Sequence, residues 1–143
     1  MRSNEVPDRD GVAAVLDRYR AASQELAALD VDALTTPELF SVLEGAETGR
    51  RMLPVIEHRA INLVDERATP VELGGSLPNA LADRLRITPA EARRRVRDAE
   101  QLGPRTSLTG EPLGPWWPAT AAAQRAGQIN NAHVGEIRRF FKQ

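Results

Sequence analysis

Apolar residues recur along this chain at intervals of three and four, the spacing of a helix face and not of a strand. Val12, Val15, Leu16, Tyr19, Ala22, Leu26 and Leu29 predict a first helix from about Asp10 to Ala28, with Asp8 and Asp10 near the positive end of its dipole. Residues 1–9 ahead of it are expected to form a flexible N-terminus. A connector anchored by Val31 and Leu34 follows. Thr36 then reads as a cap, Pro37 as the first helical position and Glu38 as its support, and the series Leu39, Val42, Leu43, Ala46, Leu53, Ile56, Ala60, Leu63 and Val64 predicts a second helix to about Arg67. Pro54 removes one backbone donor and crowds the preceding turn, which predicts a kink or break around Gly49 to Leu53.

Pattern, caps and charge agree best in LADRLRITPAEARRRVRDAEQL, Leu81 to Leu102, which reads as helix, tight turn, helix. Ala82, Leu85, Ile87, Ala92 and Val96 supply the small residue and the buried apolar contacts of such a unit. Thr88 is placed to accept from the amide of Glu91, Pro89 sits where its missing N–H costs nothing, and Glu91 is placed to reach back and complete a capping box. Upstream, Thr69, Pro70 and Gly74-Gly75 read as a loop, and Ser76 with Pro78 as a further capped start; Gly103 and Pro104 end the unit.

Beyond it, GPRTSLTGEPLGPWWP is too interrupted by glycine and proline for helix or stable strand and predicts a shaped loop. Ala119 to Ala126, closed by Gly127, and a last helix capped by Asn130 or Asn131 and carrying Val134, Ile137, Phe140 and Phe141 complete the pattern. Apolar residues still arriving at helical spacing at the end predict a domain that continues past Gln143, loose packing over residues 119–143, and an exposed apolar C-terminal helix available to another protein or to a second copy.

The fold class that follows is all-α, one compact domain over residues 10–143 with about six helices. Composition agrees: 143 residues suffice for one ordinary core, and with aromatics at only 4% that core must be aliphatic. The absence of cysteine excludes disulfides, thiolate metal sites and a cysteine nucleophile, and suits the cytoplasm. Neither a secretory leader nor a membrane span is legible, so no membrane partner is expected. The net charge of −1 conceals an asymmetry. Residues 1–76 hold 8 Arg against 14 Asp or Glu, net −6, while residues 77–143 hold 11 Arg or Lys against 6 acids, net +5. The basic half suits phosphates, and the acidic half either stays solvated or docks on it.

The segments LADRLRITPAEARRRVRDAEQLGPR, LTGEPL, PATAAAQRAGQI and HVGEIRRFF together resemble the mycobacterial 13E12 repeat family, within domain-of-unknown-function family 222. The likeness is close over residues 77–143, and the TPELF start is similar but less specific. It implies a helical N-terminal region followed, in full-length members, by an HNH endonuclease domain. An HNH site needs clustered histidines and an asparagine around a metal. Only His58 and His133 occur here, without usable spacing, so the chain reads as the N-terminal portion or a shortened member, with no catalytic residue, cofactor or metal expected.

Two function classes remain: a DNA-binding module acting through the helix-turn-helix-like segment, and a helical protein-interaction module or inactive remnant. The first would use Arg86, Arg93, Arg94, Arg97 and Arg105. Against it, Arg86 stands where such turns usually have glycine, and Arg95 where they usually have an apolar residue. Glu91 four before Arg95 and Arg94 four before Asp98 should occupy two guanidiniums, leaving Arg93 and Arg97 as like charges one turn apart, with Glu100 able to relieve Arg97. Trp116 and Trp117 suit either base stacking or core closure; closure is expected, with one ring buried and the other partly exposed. His58 and His133 are expected at the surface or in caps.

Overall fold

The computed structural model describes residues 8–142. Among these the chain forms seven helices and one two-stranded ladder: α1 (Arg9–Ala27), α2 (Thr36–Arg67), α3 (Pro70–Leu73), α4 (Leu77–Leu85), α5 (Pro89–Leu102), β1 (Arg105–Thr106), β2 (Pro112–Leu113), α6 (Pro118–Arg125) and α7 (Asn131–Phe141). The class is all-α, as the pattern predicts. The chain divides into two compact units, one reaching Ser41 and one from Val42 onward.

In the first unit, α1 begins where Asp8 accepts from the amide of Gly11 at 2.8 Å. The expected flexible segment is thus helical from Arg9, and its first seven residues lie outside the described part. None of the side chains of α1 is buried. The cap of α2 is Thr35, one residue earlier than expected: its hydroxyl accepts from Glu38 N–H at 3.4 Å, and the Glu38 carboxylate accepts from Thr35 N–H at 2.7 Å. That reciprocal pair needs a three-residue offset, which Thr35 has and Thr36 lacks.

In the second unit, α2 runs on through Pro54 to Arg67, so of the kink or break expected around Gly49 to Leu53 the break is absent. The Pro54 ring is buried, and packing retains the helix across the missing bond. The expected loop after Arg67 contains one helical turn, α3, closed by a Thr69/Glu72 capping box. Two apolar clusters follow. Ile61, Leu77 and Ala99 pack with Leu73, Leu81 and Val96, joining α2, α3, α4 and α5. Leu102, Ala121 and Val134 pack with Trp117 and Ile129, joining the end of α5 to α6 and α7. Helix α5 belongs to both clusters, and its Ala92 and Ala99 have no exposed surface, the small side chains that close packing requires. In the C-terminal helices Val134 is fully buried, while Phe140 and Phe141 are exposed.

Between α5 and α6 the predicted loop contains a ladder, with Arg105 opposite Leu113 and Thr106 opposite Pro112. Ser107 N–H donates to Glu111 O at 2.9 Å and Gly110 takes the left-handed φ of 87° that closes the turn. Gly110 inside the otherwise broken stretch is the hairpin signal that composition obscured.

Candidate nucleic-acid interface

Helices α4 and α5 meet through a three-residue turn, Arg86-Ile87-Thr88. Ser76 caps α4 by accepting from Asn79 N–H at 3.3 Å. Its other end closes when Arg86 adopts φ 55°, ψ 47°, and Ile87 N–H donates to Ala82 O at 3.1 Å. This six-to-one closure with a left-handed residue is the geometry glycine ordinarily supplies. Thr88 then caps α5, accepting from Glu91 N–H at 3.1 Å. The second half of the expected capping box is missing because arginines hold the Glu91 carboxylate. Arg94 Nε donates to it at 2.9 Å and Arg95 Nε at 3.1 Å. The Arg94 hydrogen bond first, then that from Arg95, brings the Glu91 carboxyl down to about 2 against its partial desolvation.

The arginines of α5 therefore separate into two sets. Arg94 also donates to Asp98 at 2.6 Å, and Arg95 lies 3.8 Å from Glu57 on α2. Arg93 and Arg97 are exposed, one turn apart, and form no ion pair among the described residues. Exposed Arg86 lies in the turn that leads into this helix. Of the five arginines expected at the interface, Arg94 is thus held in a network and three are open to solvent. The fifth, Arg105, is half-buried in the hairpin, where its Nε donates to Gly114 O at 2.7 Å and its guanidinium lies 3.9 Å over the Trp116 ring. That stacked pair edges a groove of about 490 Å³ whose wall includes Arg59, Asn62, Glu66 and Glu100. Its acids lower the appeal of this groove to a phosphate.

Trp116 is exposed while Trp117 is half-buried against the second cluster, 6.1 Å from the Phe141 ring. His133 is a cap residue, its Nδ1 accepting from Asn130 N–H at 3.1 Å. His58, expected at a surface or cap, is instead buried in α2. Burial lowers its pKa; the nearby Arg94 adds to this and Asp98 opposes it. No group of three or more His, Cys, Asp or Glu side chains among the described residues is placed to hold a metal ion.

Sequence reasoning missed a polar core. Asp98 is 1% exposed and receives both Arg94 and the buried Arg138 of α7, whose Nε also donates to Gln101 at 2.8 Å. The signal was present: Asp98 stands one turn before Leu102, and Arg138 one turn after Val134, each interrupting an apolar row. Asn62 is a second such contact, donating to Ala99 O at 2.9 Å and Pro104 O at 3.2 Å and so tying α2 to the end of α5.

A helical unit organised around one arginine-rich helix is the class this architecture defines. Residues 40–143 match the model of a domain of unknown function, DUF222, and the chain belongs to that family. Mycobacterial proteins are among its relatives. It is 50% identical over 135 residues to the uncharacterized proteins Rv1945 of Mycobacterium tuberculosis and Mb1179c of Mycobacterium bovis, an alignment covering 94% of this chain and 30% of each relative. With the uncharacterized protein Rv3466 of M. tuberculosis the identity is 48% over 134 residues, covering 94% of this chain and 60% of the relative. The chain thus spans about a third of the length of several curated relatives. No solved structure matches it. Among the described residues no helix is long and apolar enough to cross a membrane.

Proposed function

We propose that this region is a non-catalytic, low-affinity DNA-binding module, which in longer members of the family would accompany the HNH nuclease chemistry that the sequence resemblance implies. The observation that supports it is the division of the α5 arginines: Glu91, Asp98 and Glu57 engage Arg94 and Arg95, while Arg93 and Arg97 stand exposed on the helix that a left-handed turn presents. Like charges one turn apart repel mildly, a cost that a shared phosphate removes. The exposed face offers no Asn or Gln for reading adenine before Gln101, so contacts would be mostly to phosphate, with at most an arginine on guanine.

Binding should be salt-sensitive. With about three or four phosphates neutralised, the slope of log affinity against log salt is expected near −3, with micromolar or weaker affinity at physiological salt. Fluorescence anisotropy on a random duplex across a salt series measures it. Arg93→Ala with Arg97→Ala should flatten the slope by about 2 without loss of helicity, since both side chains point away from the packed Ala92. Absence of salt-dependent binding by the wild type, or wild-type binding by the double variant, leaves the α4–α5 pair with a packing role alone. A second reading, a protein-interaction module, is favoured by the uncovered apolar side chains of α1.

A further inference from the structure

Helix α1 carries a complete heptad pattern that nothing else among the described residues of its own compact unit buries. Val12, Val15, Tyr19, Ala22, Leu26 and Leu29 follow at alternating steps of three and four, with Leu29 just beyond the helix end. The five large residues of that series are 49% to 61% exposed. A stripe with this period is the seam of a two-helix coiled coil. We infer that α1 is a self-association element which pairs antiparallel with α1 of a second copy. The inference concerns α1 alone and is independent of DNA binding.

Size and charge select the occupant and its direction. In the antiparallel register centred between Arg20 and Ala21, Val12 faces Leu29 of the second copy, Val15 faces its Leu26, and Tyr19 faces its Ala22, so the one bulky residue meets the one small residue. Arg18 and Glu25 flank this seam on the same side, seven residues apart, and in the same register each Arg18 lies beside Glu25 of the other copy. The two-fold axis generates that pair twice. Both side chains are exposed, and among the described residues the ion pair that α1 forms within itself joins Arg20 to Asp17, with neither Arg18 nor Glu25 in an ion pair. Parallel pairing fits worse. It stacks Tyr19 on Tyr19 and brings Glu25 beside Asp30 of the other copy, a like-charge contact. The helix is 19 residues long, about 28 Å, and offers only two to three heptads, so the dimer should be weak, with a Kd on the order of 10 µM.

Sedimentation equilibrium of the 143-residue chain tests this. The expected result is a monomer–dimer equilibrium in the micromolar range. Arg18→Glu and Glu25→Arg should each weaken it about tenfold, while an equimolar mixture of the two variants should dimerise at least as well as the wild type, because every flanking pair is then opposite in charge. Both positions are exposed on the helix surface, so circular dichroism should show unchanged helicity. Direction is read by cross-linking, since the chain has no cysteine of its own. Val15→Cys mixed with Leu26→Cys should oxidise to a dimer, and neither should do so alone. The inference is overturned by a monomer at a concentration tenfold above the expected Kd, whether α1 amides then exchange fast or are protected by the chain itself. It is equally overturned by tighter dimers of Glu25→Arg, or by self-cross-linking of either cysteine variant, which would signify a parallel pair.

Discussion

Arg86 shows how much a single backbone position can contribute to the α4–α5 unit. Its φ of 55° places an L-residue where the carbonyl crowds Cβ, at a cost of about 1–2 kcal/mol. The turn is kept because it closes α4 and aims α5, so the residue that seemed to argue against a tight turn adopts its conformation regardless. Arg86→Gly should therefore stabilise the fold by roughly 1 kcal/mol in urea unfolding, even as it removes one cation from the proposed interface. His58 carries a pH signature of the opposite sense. Burial lowers its pKa from 6.5, so the folded state resists the proton that the unfolded chain accepts. The associated stability is complete above about pH 6.5 and declines as pH falls toward the folded value. Melting temperature followed downward from about pH 7.5 should fall, and His58→Gln should flatten that part of the profile.

At the scale of elements, α5 organises the second unit by a division of labour among its faces. Ala92 and Ala99 pack, Glu91, Arg94 and Asp98 form a charge chain, and Arg93 and Arg97 remain at the surface. The pairs inside the helix were legible because three- and four-residue spacing brings such side chains together in any helix. The link from Asp98 to Arg138 was not, because forty residues separate them and only the docking of α7 on α5 makes them meet. That link should matter to stability. Asp98→Ala leaves Arg138 buried without its carboxylate and is expected to cost about 3–5 kcal/mol in chemical denaturation, and adding Arg138→Met should recover a large part of it. A recovery near zero would mean that Asp98 acts chiefly through Arg94.

For the molecule as a whole, the sequence by itself determined the helical class, most helix ends and the family, because apolar period, caps and turn residues act within a few positions of one another. Ser76 and Thr88 cap helices in the structure as their spacing foretold, and of the two candidates Asn130 and Asn131 the structure selects Asn130. Local rules also erred only locally: the α2 cap by one residue, and a ladder hidden among glycines and prolines. The opposite charges of the two halves were likewise legible, but charge counts do not say which arginines are free. Tertiary structure decided that question, along with the burial of His58, Asp98 and Arg138 and the exposure of α1, whose spacing alone suited a core helix equally well. Spacing fixes which side chains share a face, whereas what covers that face depends on segments distant in the chain, and no local pattern encodes their approach.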